Sequence, residues 1–342
     1  MTIFKNPGEL VTEINKVVIG QEKAAEIFSL YMFKHLMKLY AHAHNIDLEN
    51  KTNLLILGDT GAGKTFLVKT ACELMDIPLV EINAKSIAQE GWHGTSFLEL
   101  LKDGLRPLSS QEMLKVIVFI DEFDKMCITN MSHRNGDNAV HVQSSILKYL
   151  EGMSITVNGR IITTTHISFV LAGNFKDIRE KRLDVRTNIG FTREQKLPED
   201  NLAEELENFG VLPEIVGRIS ETIELEPHSK RTYFKISQSP SFMLYKWSGM
   251  FRSMGANFQV SKRDIVQIIT RAAKKKLGVR GLVQESQKLV NREIHRNIDK
   301  LDFDFMARFL KDALERAERP LTPIVGIGQQ VQPGSDEDND GA

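Results

Sequence analysis

The sequence predicts an α/β fold in which a doubly wound parallel sheet is followed by a smaller, mostly helical domain. Short runs rich in Val, Ile and Leu recur along the first part of the chain. Each run is apolar on both faces, as the buried strands of a parallel sheet are. Helical stretches alternate with these runs, which is typical of doubly wound proteins. After about Pro227 the apolar runs end and the pattern becomes helical.

The composition is that of a globular protein, with 42% hydrophobic and 26% charged residues. A length of 342 residues favours about two domains. The net charge of -1 gives no electrostatic reason to expect a nucleic-acid or membrane partner. Cys72 and Cys127 are too few for a four-cysteine zinc site or a disulfide framework. Residues 1–20 lack a signal peptide's apolar core, and no run approaches the ~18 residues that span a bilayer. We therefore expect a cytoplasmic protein.

The α/β part is predicted to begin with an amphipathic helix at 21–42, where apolar residues follow helical spacing. One hairpin interrupts the later alternation, because Asn158-Gly159 is a strong two-residue turn signal between short strands at 154–157 and 160–164. In chain order, the other strands are predicted at 53–57, 79–82, 116–120 and 168–171, and the helices at 64–75, 96–101 and 140–150.

The last third of the chain is predicted to contain three helices, at 243–254, 261–276 and 280–297. Ser261 followed by Asp264 resembles a capping box that opens the second of them. The final stretch contains Pro, Gly, Gln and an acidic run, a composition typical of disorder. We therefore divide the chain into an α/β domain at 1–227, a helical domain at 228–318 and a disordered acidic tail at 319–342.

The segment after the first predicted strand has the spacing of a phosphate-binding loop. It reads GDTGAGKT and lies between a strand and a helix, the context that this motif requires. Glycines let backbone N–H groups surround phosphate oxygens. We expect Lys64 to reach the β- and γ-phosphates and the Thr65 hydroxyl to bind Mg²⁺. The predicted nucleotide-binding residues here are Gly58, Asp59, Thr60, Gly61, Ala62, Gly63, Lys64, Thr65 and Phe66.

An acidic pair follows the apolar run VIVFI further along the chain. The strand is expected to deliver Asp121 to the metal ion, while Glu122 polarises the attacking water. Two adjacent carboxylates in a chain that also has a phosphate loop indicate hydrolysis rather than nucleotide binding alone. Mg²⁺ and a nucleotide that carries β- and γ-phosphates are therefore expected here, and the family resemblance described next implies that this nucleotide is ATP.

Eight segments, including the two just described, occur in order between residues 11 and 297: VVIGQEKA, GDTGAGKT, GWHG, VIVFIDEFDK, VQSSILKYLEG, FVLAGNF, GVLPEIVGRI and GVRGL. In this order they resemble the AAA+ unfoldases of the ClpX and HslU group. The resemblance implies an AAA+ fold, ATPase activity and a hexameric ring that unfolds proteins. The N-terminal zinc-binding domain of ClpX and the large inserted domain of HslU have no counterpart in this sequence.

The resemblance also implies roles for single residues at matching positions. Val18 and Ile19 match the segment that packs on the adenine ring. Asn174 matches sensor 1, which reads the γ-phosphate, and Arg280 matches sensor 2, which reports the nucleotide to the helical domain. Arg218 matches the arginine finger, which acts on the nucleotide of a neighbouring subunit. The implied catalytic set is Glu122, Lys64, Arg218, Asn174 and Arg280.

Two short segments match parts of the family that contact other polypeptides. Gly91, Trp92, His93 and Gly94 match the pore loop, whose aromatic residue grips a polypeptide in the central channel. His93 departs from the small apolar residue that is usual there, and a tryptophan buried under a turn is the alternative interpretation.

The second segment is the tripeptide Ile189, Gly190 and Phe191. ClpX-type unfoldases carry the same tripeptide in a loop, and that loop docks into apolar clefts of the ClpP peptidase. In this sequence the tripeptide lies among charged residues and before LPEIVGR. An isoleucine and a phenylalanine exposed in a polar loop usually need a binding partner. Docking on a ClpP-type peptidase is therefore the prediction, with local packing as the alternative.

Together these observations predict an ATP-driven unfoldase that acts as a homohexamer on unfolded or tagged proteins and feeds a ClpP-type peptidase. One alternative is a protein-remodelling ATPase that acts without a peptidase. A nucleic-acid motor on the same core would need basic residues along its pore, where this loop offers only His93. A nucleotide switch without motor activity is disfavoured by the intact Glu122 and Arg218. No membrane partner is expected.

Overall fold

The computed structural model of the protein describes residues 4, 6–46, 53–87, 95–127, 133–188, 201–300, 307 and 311. None of the helices within these ranges has the length and apolar character needed to cross a bilayer. The strands are β1 (Asn53–Leu57), β2 (Leu79–Asn83), β3 (Ile117–Asp121), β4 (Ser154–Val157), β5 (Arg160–Thr163), β6 (Ser168–Gly173) and β7 (Ile219–Glu224). The helices are α1 (Pro7–Val17), α2 (Glu22–Ala43), α3 (Lys64–Met75), α4 (Phe97–Leu105), α5 (Ser110–Leu114), α6 (His133–Glu151), α7 (Lys176–Asn188), α8 (Leu202–Phe209), α9 (Pro213–Val216), α10 (Lys230–Gln238), α11 (Met243–Ser253), α12 (Lys262–Lys275) and α13 (Gly278–Arg296).

Within the described ranges, five strands form a parallel sheet in the order β2-β3-β6-β1-β7. Strands β1 and β6 are buried along their whole length, whereas the edge strands β2 and β7 are only partly buried. Because the strands are parallel, their carboxyl ends meet at one edge of the sheet. Leu57 is paired with Gly173 there, and Asn83 with Asp121. The loops that follow these residues therefore lie side by side.

Two apolar cores cover the two faces of this sheet. Along β1, Leu55 and Leu57 belong to one core and Leu54 and Ile56 to the other, as the two-residue period of a strand requires. A third apolar cluster is built from α10 to α13, from Tyr233 to Val290. The division of the chain into domains at 227 stays a prediction.

Two local predictions are confirmed by the backbone geometry. In the β4–β5 hairpin, Asn158 (φ 51°) and Gly159 (φ 73°) are both left-handed, as the favoured two-residue turn requires. At the start of α12, the Ser261 hydroxyl accepts a hydrogen bond from the backbone of Asp264, whose carboxylate accepts one from the backbone of Ser261. This is the predicted capping box.

The sequence pattern did not predict β7 or the helices α1, α5, α7, α8, α9 and α10. Strand β7 reads ISETIE, and among its residues only Ile223 is buried, so it lacks the apolar run of the inner strands. Helix α1 is opened by a side-chain cap from Asn6 and by a proline in its first turn, a start signal that the sequence contains. The strand predicted at 116–120 begins one residue later, and α6 begins at His133 rather than at 140.

Candidate nucleotide-binding site

The predicted phosphate loop connects β1 to α3 at the carboxyl edge of the sheet. Gly61 (φ 76°) and Gly63 (φ 105°) are left-handed, which residues with a side chain adopt only at a cost. A Cβ on Gly61 would also lie 2.3 Å from the Leu277 carbonyl oxygen. The glycines therefore allow the loop to curve, and they allow the backbone at Leu277 to approach the loop closely.

Lys64, the first residue of α3, is held by its own loop. Its Nζ donates hydrogen bonds to the carbonyl oxygens of Gly58 (2.6 Å) and Asp59 (3.1 Å). Burial lowers the pKa of Lys64 below its ordinary value, while the carboxylates of Asp121 and Asp124 oppose this shift. A phosphate group could replace the two carbonyls and offer this partly buried cation a full negative charge.

The next side chain along α3 bonds to the acidic pair at the end of β3. Thr65 Oγ1 donates to Asp121 Oδ2 at 2.9 Å, and the backbone N–H of Glu122 donates to Asp121 Oδ1 at 2.8 Å. These two hydrogen bonds, one to each carboxylate oxygen, orient the Asp121 side chain. A hydroxyl and a carboxylate oxygen in contact form the hard oxygen pair that Mg²⁺ prefers.

Glu122 has a left-handed backbone (φ 59°, ψ 30°), which is uncommon for a residue with a side chain and occurs often at functional sites. Its Oε2 lies 2.9 Å from Lys85 Nζ and 3.2 Å from Asn83 Nδ2. These contacts, that of Lys85 first, hold the pKa of Glu122 below its ordinary value. Glu122 is therefore a carboxylate at neutral pH and can accept a proton.

These groups line one cavity of about 530 Å³, which we call the polar cavity. It brings together residues that are far apart in the sequence, including the predicted Asn174 and Arg280. Its predicted lining residues are Thr60, Gly61, Gly63, Lys64, Thr65, Phe66, Asp121, Glu122, Asn174 and Arg280, and further residues include Asp124, Lys125, Gly173, Val279, Val283 and Gln284.

Arg280 reaches the polar cavity because the start of α13 packs directly on the phosphate loop. The backbone N–H of Val279 donates to the Gly61 carbonyl at 2.9 Å. A Cβ on Gly278, whose φ is 57°, would lie 2.4 Å from that same oxygen. Glycine on both sides of the contact lets the two backbones touch.

A second cavity of about 260 Å³, here the apolar cavity, adjoins the first. Val18 and Ile19 line it, together with Phe66 and Val283, which line the polar cavity as well. The buried amide of Gln21 fixes this segment to the phosphate loop, since its Nε2 donates to the carbonyls of Ala62 (3.3 Å) and Glu226 (2.9 Å). An apolar slot beside a phosphate loop has the chemistry of a site for a nucleobase and its phosphates.

Comparison with known proteins agrees with this geometry. The model of the AAA family, the ATPase family associated with various cellular activities, matches residues 54–191. The ATP-dependent Clp protease ATP-binding subunit ClpX of Treponema denticola is 32% identical over 319 residues, covering 83% of this chain and 75% of that protein. ClpX 2 of Wolinella succinogenes is 29% identical, covering 81% of this chain and 74% of that protein.

The chain belongs to the ClpX family of AAA ATPases. The predicted family, fold class and ATPase activity are thereby confirmed, and the chain is an ATP-dependent unfoldase of the Clp type.

Among the described residues, the predicted Gly58, Asp59 and Arg218 line neither cavity. Arg218 lies outside both cavities, and its Nη2 donates to Glu151 Oε1 at 2.9 Å on the surface, where both side chains are about half exposed. The pore-loop residues 91–94 and the tripeptide 189–191 lie outside the residues that the structure describes. Their roles stay predictions.

The sequence did not point to Arg179, although it is tied to the phosphate loop. Its buried guanidinium bonds to Asp59 Oδ1 at 2.6 Å and lies 3.5 Å from Asn174 Oδ1. Asn83 and Lys85, which bind Glu122, were missed for the same reason. The contacts with Asp59 and with Glu122 join residues far apart in sequence, and no local motif marks Arg179, Asn83 or Lys85.

Proposed function

We propose that this chain forms a homohexameric ring that uses ATP hydrolysis to pull unfolded or tagged polypeptide through its centre. The observation that carries the proposal is the polar cavity, in which Lys64, Asp121, Glu122 and Arg280 meet around one space. Family membership supports the coupling of this site to protein unfolding.

In this proposal the nucleotide spans both cavities. The base fills the apolar cavity against Val18 and Ile19. The phosphates lie along the loop and the first turn of α3, because the first N–H groups of a helix have no partner within the helix and can donate to an anion. Lys64 exchanges the carbonyls of Gly58 and Asp59 for phosphate oxygens. Arg280 faces the same phosphates from α13 and so links them to the helical part of the chain.

Thr65 and Asp121 are the residues that would hold Mg²⁺, because their oxygens already lie 2.9 Å apart on the cavity wall. When bound, the ion supplies positive charge that neutralises phosphate oxygens. Glu122, kept ionised by Lys85, accepts the proton of the attacking water. Asn174 orients the terminal phosphate from the end of β6.

Arg218 acts in trans in this proposal, on the nucleotide of the neighbouring subunit. Its present partner is Glu151, and an exposed pair of this kind contributes less than about 1 kcal/mol, so the guanidinium can exchange one partner for another at little cost. A monomer would therefore lack one catalytic group, which is why the proposal requires a ring.

The proposal is tested by unfolding of a stably folded fluorescent protein that carries a disordered tail. We expect the wild type to abolish the fluorescence with ATP but not with ADP, and Trp92→Ala to lose this activity while it still hydrolyses ATP. Trp247→Phe is the matched control, because Trp247 packs in the third apolar cluster, and it should keep both activities. Equal unfolding by wild type and Trp92→Ala would remove the pore-loop role. Stimulation of the ATPase by single-stranded DNA, but not by unfolded protein, would favour the nucleic-acid motor.

Delivery to a ClpP-type peptidase is the second part of the proposal. The relatives are named as subunits of the Clp protease, and the tripeptide at 189–191 follows directly after α7. Phe191→Ala should abolish degradation by the peptidase while unfolding and ATPase activity persist. Truncation of such an apolar anchor costs about 2 kcal/mol or more per site, and a ring multiplies the loss. If Phe191→Ala instead lowered the melting temperature and left degradation intact, Phe191 would be a core residue.

A further inference from the structure

Arg179 lies in the first turn of α7, and its side chain is only 3% exposed. Its Nη1 donates to Asp59 Oδ1 at 2.6 Å and, at the long end of the hydrogen-bond range, to Asn174 Oδ1 at 3.5 Å. Its Nε has no hydrogen-bond partner among the described residues and lies 4.0 Å from Glu224 Oε1. A guanidinium is costly to bury, so its position depends on the groups that face it.

The turn between β6 and α7 brings Asn174 onto this guanidinium. The next residue, Phe175, is fully buried and has a left-handed backbone (φ 44°), which a bulky residue adopts only at a cost. Its ring packs against Phe209, with ring centroids 5.1 Å apart, and its carbonyl accepts a hydrogen bond from the backbone of Arg179 at 3.1 Å. Core packing thus holds the turn in the shape that lets the two side chains meet.

The contact with Arg179 decides which end of the Asn174 amide is left for a ligand. A guanidinium has donors and no acceptor, so it binds the amide oxygen and not the amino group. Nδ2 of Asn174 makes no hydrogen bond within the described residues, yet it is not one of their buried unpartnered atoms. It is therefore open to solvent, on a side chain that lines the polar cavity. The end left open is a donor, the kind of group that a phosphate oxygen binds.

The remaining partners of Arg179 are carboxylates that keep other partners when the arginine is removed. The Asp59 side chain is about half exposed, so water can replace the guanidinium there. Glu224 Oε2 also lies 3.9 Å from Arg182 Nε. Replacement of Arg179 by an apolar side chain of similar length therefore leaves no buried carboxylate without a cation or water.

We propose that Arg179 is a positioning residue of the ATPase site, which fixes the Asn174 amide so that its amino group is presented to the terminal phosphate. This rests on the nucleotide placement and the role of Asn174 proposed above. Without Arg179 the amide can turn over and set its oxygen against the phosphate oxygens, where acceptor meets acceptor. Arg179 itself lines neither cavity, so it acts through Asn174 and not on the nucleotide.

The test is a double-mutant cycle that measures single-turnover ATP hydrolysis in Arg179→Met, Asn174→Ala and the combined variant. Asn174→Ala should slow hydrolysis by about 100-fold, the effect of removing one preorganised donor. Arg179→Met should slow it by about tenfold, because the donor is present but no longer held in place. In the Asn174→Ala background, Arg179→Met should change the rate by less than about twofold, since the amide that it positions is gone.

ATP affinity separates positioning from binding. Arg179→Met should bind ATP within about threefold of the wild type, because the contacts of the phosphate loop remain. Arg182→Met is the matched control: Arg182 lies on the same helix but pairs with Glu205 at 3.1 Å, and its loss should leave the rate of hydrolysis unchanged.

Arg179→Met that slows hydrolysis by the same factor with and without Asn174 would overturn the proposal, because a merely structural arginine acts alike in both backgrounds. So would Arg179→Met that hydrolyses ATP at the wild-type rate. If Arg179→Met does not fold, the same cycle with Arg179→Gln decides, since a glutamine can still donate to Asp59 but presents either amide end to Asn174. Failure of the proposed role of Asn174 is distinct, because Asn174→Ala would then hydrolyse ATP like the wild type.

Discussion

The two ends of the nucleotide cleft are built in opposite ways. In the polar cavity the functional side chains already bind one another, as Lys64 binds the carbonyl of Gly58 and Thr65 binds Asp121. In the apolar cavity, Val18 and Ile19 line an open space of about 260 Å³. A nucleotide must therefore replace existing hydrogen bonds at one end and fill space at the other.

This difference separates binding of the phosphates from binding of the base. Exchange of a neutral carbonyl for a charged phosphate gives Lys64 a strong interaction that every nucleoside triphosphate can provide. The apolar cavity contributes less, because contact with a base displaces water from a limited apolar area. Substitutions at the two ends should therefore differ both in the size of their effect and in which ligands they affect.

The largest effect is expected at the polar cavity. Lys64→Ala should weaken ATP binding by at least about 100-fold, because a charge-assisted contact with two phosphates is lost. Isothermal titration with ATP measures this. Lys69→Ala is the control, since Lys69 lies on the same helix but pairs with Glu81 at 2.9 Å on the surface. ATP affinity that is the same in Lys64→Ala and in the wild type would show that the phosphates bind elsewhere.

An intermediate effect is expected at the apolar cavity. Ile19→Ala should weaken binding of ATP and of AMP by about fivefold, because part of the apolar surface against the base is lost. Binding of inorganic tripolyphosphate, which has no base, should not change. If Ile19→Ala weakened tripolyphosphate as much as ATP, the two cavities would not act as separate subsites.

The smallest effect is expected at Lys85, which lowers the pKa of Glu122. Without Lys85 that pKa rises, so Glu122 becomes protonated at a higher pH as the solution is acidified. The acid limb of the ATPase pH profile should therefore move upward in Lys85→Ala, by less than about one pH unit because the pair is partly exposed. Lys125→Ala is the control with a smaller shift, since Lys125 is a weaker contributor to the same lowering. An acid limb that stays in place or moves downward would exclude this role.

The polar cavity was predictable because its parts are local motifs. The glycines and Lys64 occupy one stretch of the sequence, and Asp121 and Glu122 follow one apolar run, so spacing alone indicates their chemistry. Strands β1, β3 and β6 were predictable for a similar reason, since burial on both faces requires a continuous apolar run.

The rest depends on contacts between distant residues. Arg179 bonds to Asp59 across 120 positions, and His228 reaches the apolar cavity only because β7 returns the chain beside β1. Strand β7 was itself missed, because an edge strand needs few apolar residues. A side chain whose partner is this distant leaves no signal in the local sequence pattern.

The central claim is that the polar cavity hydrolyses ATP with Glu122 as the group that accepts the proton of water. The most direct measurement compares ATP binding with single-turnover hydrolysis in Glu122→Gln, which keeps the shape of the side chain but cannot accept that proton. We expect ATP affinity within about threefold of the wild type, since the phosphate contacts remain, and hydrolysis slower by at least about 100-fold. Glu122→Gln protein that hydrolyses ATP at the wild-type rate would contradict the account.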